Sequence, residues 1–130
     1  MGTTLTVSIG LVIISSLISG FIGVVVSIIY HKRAEKRQIK LDTLKRFVGY
    51  RYDLKSDDFS RAINEIFVVF KDSKSVLSKT KDFHDSASLG QSVLANDKLN
   101  EIFKAMCKDL NIDINKDYDD LFLRVFNNKE

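Results

Sequence analysis

Leu5 to Tyr30 is a run of 26 residues with no charge and no proline, broken only by Ser, Thr and Gly. At about 1.5 Å rise per residue such a helix reaches roughly 39 Å, more than the ~30 Å hydrocarbon core of a bilayer. The run therefore predicts a membrane-spanning helix, with tilt or frayed ends absorbing the excess. A buried helix of a water-soluble domain is the alternative, but such helices are usually shorter and keep a polar face. A cleaved signal peptide fits poorly, because there is no positive region ahead of the run and no small-residue cleavage site behind it. The opening Met1-Gly2-Thr3-Thr4-Leu5-Thr6 also matches a myristoylation pattern, which adds little to a spanning helix.

Orientation follows from the flank. Lys32, Arg33, Lys36, Arg37 and Lys40 come directly after the run, and positive flanks stay on the cytoplasmic side. The expectation is a single-pass membrane protein, Met1 outside and the C-terminal domain in the cytoplasm, with Tyr30 as interfacial anchor. The division expected is 1–31 for the spanning helix, 32–50 for a basic juxtamembrane helix and 51–130 for the domain.

The run also carries a pattern of small side chains. Ser15, Ser19, Gly23 and Ser27 recur every four residues, while Ser16, Gly20, Gly23 and Ser27 follow spacings of four, three and four. Small residues allow close backbone approach between helices in lipid, where no hydrophobic force drives association. Both sets predict a homo-oligomer. The opposing reading is that Ser and Gly are simply tolerated, each hydroxyl bonding back to its own helix. Ile14, Ile18, Phe21, Val25 and Ile28 form a bulky side suited to lipid. Four or more copies turning the small side inward would leave a hydroxyl-lined path.

Charge is unevenly placed. Of a net +3, His31–Arg51 holds +6 and the remainder from Tyr52 holds −3. Two readings fit this basic block. One is the positive-inside effect together with anionic lipid, worth about 1 kcal/mol per charge near the surface. The other is a site for an anionic nucleotide-type ligand, with Lys36, Arg37, Lys40, Lys45, Arg46 and Arg51 as candidates.

The absence of proline allows the first helix to continue past the membrane. Leu41, Leu44 and Val48 keep an apolar face at helical spacing. Gly49–Ser56 reads as a turn. Ser56-Asp57-Asp58 caps a second helix to about Phe70, whose apolar set Phe59, Ile63, Ile66, Phe67 and Phe70, widened by Val68 and Val69, makes it the expected central helix. Asn64 within it should bond neighbouring backbone or lie between subunits. A third helix is expected over 74–86 with Val76, Leu77, Thr80 and Phe83 inward, then a loop over 86–92. A fourth begins near a cap at Asn96 and shows Leu99, Ile102, Phe103, Met106 and Leu110. Asn111–Asn115 breaks it, as a loop or a short extended piece. Asp117–Phe126 closes the chain with Tyr118, Leu121, Phe122, Val125 and Phe126. The fold class expected is all-α, one transmembrane helix continuous with a small bundle of four to five helices.

Chemistry is sparse. The sequence has no Gly-rich phosphate loop, no nucleophile elbow and no zinc-binding helix motif, and its single Cys107 forms no pair with either histidine. No catalytic residue, metal or cofactor is expected, and the Asp/Asn ladder at 111–115 lacks calcium-loop spacing.

Asp42-Thr43-Leu44 followed by Arg51, then Ser56–Phe59, then Ala62-Ile63-Asn64-Glu65-Ile66 ending in Phe70, and later Ala105-Met106, resemble a family of uncharacterised bacterial domains. That family has a TLM…R helix before an ALN.I…F helix, commonly behind one spanning segment. The resemblance covers roughly Leu41–Leu110. Lys45 departs from the pattern where an apolar residue is usual, and the longer C-terminal region is missing. The chain is also similar to small transmembrane effectors of anti-phage defence of Hailong type, which are partnered with enzymes that make nucleotide signals. The resemblance implies an oligomeric effector that permeabilises the membrane when a signal binds. The alternative is a membrane tether whose helical domain docks a cytosolic partner.

Overall fold

The computed structural model describes residues 1–90 and 92–124, and every structured element among them is helical. Five helices follow in order: α1 (Gly2–Tyr50), α2 (Asp57–Val69), α3 (Lys74–Ser88), α4 (Ser92–Asp109) and α5 (Lys116–Leu123). The chain divides into two compact units, Met1–Lys36 and Arg37–Glu130.

The first unit is the N-terminal part of α1. It is long and apolar enough to cross a membrane, and none of its apolar window is buried within the chain. Its hydroxyls turn back onto their own helix. Ser15 and Ser16 both donate to the carbonyl of Val12, at 2.9 and 2.7 Å, and Ser8 donates to that of Thr4 at 2.9 Å. These bonds let polar side chains sit in an apolar run without a partner from elsewhere.

The second unit holds the core. The last turns of α1 contribute Thr43, Leu44 and Phe47, all buried. From α2 come Phe59, Ala62, Ile63 and Ile66, with Phe70 just past its end. Ser56 is the N-cap, its hydroxyl accepting from the Phe59 amide at 3.1 Å, and Asp57 and Asp58 stand in the first turn where the helix dipole favours them. Ser73 caps α3 in the same way, through the Val76 amide at 3.4 Å. Because α3 and α4 are separated only by 89–91, they pack along each other as a helical hairpin. Gly90 stands in that connection at φ +70°, a conformation glycine adopts without steric cost.

Three expectations are corrected. The central helix is α4, whose Ala95, Leu99, Ile102, Phe103, Met106 and Leu110 are all buried, whereas Phe67 and Val68 of α2 face outward at 40% and 72% exposure. The apolar run of α2 is wider than the face that its neighbours cover. Helix α4 also starts four residues earlier than expected, at Ser92, leaving Asn96 exposed within the helix and not at its cap. The apolar period already begins at Ala95, so the preceding turn is needed to place it. Glycine at 49 does not end α1, which runs on to Tyr50 before a turn closed by bonds from Asp53 to Tyr50 and from Ser56 to Asp53. Of the two readings of 111–115, the loop holds: these residues break the helix and form no strand, and no strand occurs among the described residues. Val125 and Phe126 lie outside the described residues.

A row of rings runs through the core. Phe103 stacks on Phe122 with centroids 4.5 Å apart, Phe122 on Phe47 at 6.2 Å, Phe47 on Phe59 at 6.2 Å, and Phe59 meets Phe83 edge-on at 6.0 Å. These contacts join α1, α2, α3, α4 and α5 around one centre, with the offset and edge-on geometries that aromatic quadrupoles favour.

Candidate functional site: basic residues at the helix ends

The six cations proposed for an anionic ligand are all on α1 or just beyond it. Lys36 belongs to the first unit and is exposed; the other five belong to the second. Most of these five meet C-terminal helix ends, where unpaired carbonyls concentrate negative potential.

Arg37 donates through Nη1 to the carbonyl of Leu110, immediately past the last residue of α4. One turn along α1, Lys40 bonds Asp109 Oδ2 at 2.6 Å, with both side chains more than three-quarters buried. The Lys40 ammonium also sits 5.3 Å from the ring centroid of Phe70, the C-cap residue of α2. Arg51 donates from Nε to the carbonyl of Phe122 in α5 at 3.0 Å and from Nη1 to the carbonyl of Val48 in α1. Its guanidinium lies 4.9 Å above the Phe122 ring. Burial lowers the Arg51 pKa from its ordinary value, consistent with a cation held largely by carbonyls and a π-face.

Arg46 has a carboxylate partner. Its Nε donates to Glu65 Oε2 at 3.0 Å and its Nη2 to Oε1, a two-pronged pair bridging α1 and α2. Thr43 Oγ1, wholly buried, donates to the same Oε1 at 2.7 Å. The Arg46 bonds hold the Glu65 carboxyl below its usual range, with Thr43 adding to the effect. Lys45 is the most open of the five, 72% exposed and 3.9 Å from Asp42 on its own helix.

The structure thus brings Arg37, Lys40, Arg46 and Arg51 together as the fasteners of one domain. Sequence reasoning grouped these residues by charge and proximity; apart from the Val48 carbonyl bonded by Arg51, their partners lie 19 to 73 positions away and left no local signal. The small residues Ser15, Ser16, Ser19, Gly20, Gly23 and Ser27 are all exposed on α1. A Cβ added at Gly20 or Gly23 meets nothing within 4 Å.

A second feature went unread in the sequence. Leu54, Phe59, Ser60, Ile63, Asn64 and Phe83 line an open groove of about 300 Å³ beside α2 and α3. Asn64, an exposed mid-helix asparagine within the apolar run of α2, was its one visible trace. No group of three or more His, Cys, Asp or Glu side chains that could hold a metal ion occurs among the described residues. Cys107 is buried, and burial pushes its thiol pKa up, away from the reactive thiolate. His84 is exposed, with Nδ1 3.9 Å from the carboxylate of its neighbour Asp85.

A family of unknown function, DUF6680, matches residues 4–118, from the apolar run to the first turn of α5. No curated protein and no solved structure matches the chain.

Proposed function

The chain belongs to the DUF6680 family, and we propose that it works as a self-associating single-pass membrane effector, in which an anionic nucleotide-type signal acting on the cytoplasmic domain alters the packing of the spanning helices and opens a pore. The observation that supports this most directly is the exposed apolar length of α1 with its small-residue side, inside a helix that runs unbroken to Tyr50. One such helix cannot enclose a path, so the reading requires several copies, four or more. A signal shifts the assembly only by binding the open form more tightly. Placement in a bacterial inner membrane with the domain in the cytoplasm belongs to this proposal, as do a signal-producing partner enzyme and a role in anti-phage defence. These last two rest on the resemblance of the helical motifs.

The test is a pair of substitutions, Gly20→Leu and Gly23→Leu, in the full-length chain. Open space around both positions means that a single chain accommodates the new side chains. In mild detergent the wild type is expected as a discrete oligomer of at least four by native mass spectrometry, and the double variant as smaller species with no ion flux in liposomes. A monomeric wild type, or flux unaffected by the two leucines, counts against the pore.

A second reading is a membrane tether, favoured by one observation: Arg37, Lys40, Arg46 and Arg51 already bond within the domain, while Phe67, Val68 and the groove beside α2 face outward. A tether would keep its partner when Gly20 and Gly23 are replaced.

A further inference from the structure

The end of α4 is closed in two different ways. Asn111 at φ 54° lets the Ile112 amide donate to the Cys107 carbonyl at 2.9 Å and the Asn111 amide to that of Lys108 at 3.2 Å, a Schellman closure. The Leu110 carbonyl and the Asp109 carboxylate are bonded instead by Arg37 and Lys40 of α1, one turn apart on one face. The bonded groups are two cations and one carboxylate, and Lys108 adds a further positive charge in the same turn. The partner of Arg37 here is a neutral carbonyl, a weaker acceptor for a guanidinium than a phosphate oxygen, which it binds with charge assistance and in two-pronged geometry.

We infer that Arg37 and Lys40 form an anion-sensitive latch on α4: a compact polyphosphate-type anion competes with Asp109 and the Leu110 carbonyl for the two cations and releases the last turn of α4 from α1. The inference rests on the proposed ligand response and gives it a location and a cost, since binding the anion means breaking bonds that the resting domain makes. Thr43, Leu44 and Phe47 still hold α1 in the core when the latch is released, and Met106 and Cys107 still hold α4 there, so release loosens the closing turn at 109–112 while the domain stays folded. Such a local opening is read by amide exchange.

The experiment follows hydrogen exchange over 106–112 in the full-length chain in mild detergent, adding sodium tripolyphosphate or sodium chloride at equal ionic strength. Exchange of the Leu110, Asn111 and Ile112 amides is expected to rise roughly tenfold or more with tripolyphosphate alone, as the two charge-assisted contacts are lost. Arg37→Gln with Lys40→Gln is expected to exchange fast from the outset and to ignore the anion. Asp109→Asn keeps both cations but removes the competing carboxylate, and is expected to respond at several-fold lower tripolyphosphate. Equal effects of the two salts, a wild-type response in the double glutamine variant, or no gain in sensitivity in Asp109→Asn each overturns the latch. Liposome flux is read separately: an exchange response without flux sinks the pore and leaves the latch standing, and flux without the exchange response does the reverse.

Discussion

Glu65 shows how much one side chain can decide. Its Oε1 accepts from the Thr43 hydroxyl and from Arg46, and Thr43 also lies 3.0 Å from the Ile39 carbonyl, yet a hydroxyl has one proton to give. The carboxylate, shorter and charged, takes it. Since the Arg46 bonds lower the Glu65 pKa below its ordinary 4.5, the stabilisation is complete above that value and is lost as pH falls through the lower folded value. The wild type in detergent is therefore expected to lose thermal stability on acidification below about pH 4.5, and Glu65→Gln to lose less over the same window, when melting is followed by circular dichroism. At neutral pH the same substitution should cost about 1 kcal/mol, a modest figure because Arg46 remains partly open to solvent. Thr43 and Glu65 each lie in a motif quoted for the family resemblance, but nothing in those motifs linked one to the other. A threonine and a glutamate 22 positions apart carry no sign of each other until two helices are packed.

At the scale of elements, what the sequence displays depends on range. The starts of α2 and α3 were legible because their causes are local: Ser56 and Ser73 each reach an amide three residues on. The long apolar helix was legible from length and composition. The break after α4 was legible in Asn111, an amino acid that tolerates the left-handed region, though the Schellman bonds were not. Replacing Asn111 by Gly should leave the melting temperature unchanged or raise it, by up to about 0.5 kcal/mol of stability, whereas Asn111→Val should lower stability by about 1–2 kcal/mol, because a β-branched residue is strained at φ 54°. The choice of central helix misled for a different reason. Counting apolar residues favours α2, but coverage is set by neighbours, and α4 lies between α3 and α5 while Phe67 and Val68 meet solvent. The basic block is the clearest case of information absent from local sequence: its charges read as a ligand surface, and their bonds are to the ends of α4 and α5 and to Glu65.

For the whole molecule, the two units meet within one helix, and the domain is not separable at the residue where α1 stops. Thr43, Leu44 and Phe47 belong to the core, and Phe47 touches both Phe59 and Phe122. Leaving out such a ring typically costs about 3–5 kcal/mol, comparable with the whole stability of a small domain. The expected domain boundary at residue 51 therefore cuts through the packing.

This has a practical consequence for cutting the protein. A chain shortened to begin at Tyr52 would lose a core wall together with Arg37, Lys40, Arg46 and Arg51, the side chains that fasten the ends of α4 and α5 and pair with Glu65. One shortened to begin at Arg37 keeps them all. Expressed without detergent, the longer fragment should be helical with a cooperative melt, and the shorter one should aggregate or show no sharp transition. For a protease, the same architecture leaves the polar stretch around His31–Lys36 as the place where cleavage is expected to separate the apolar segment and leave the folded unit from Arg37 onward intact.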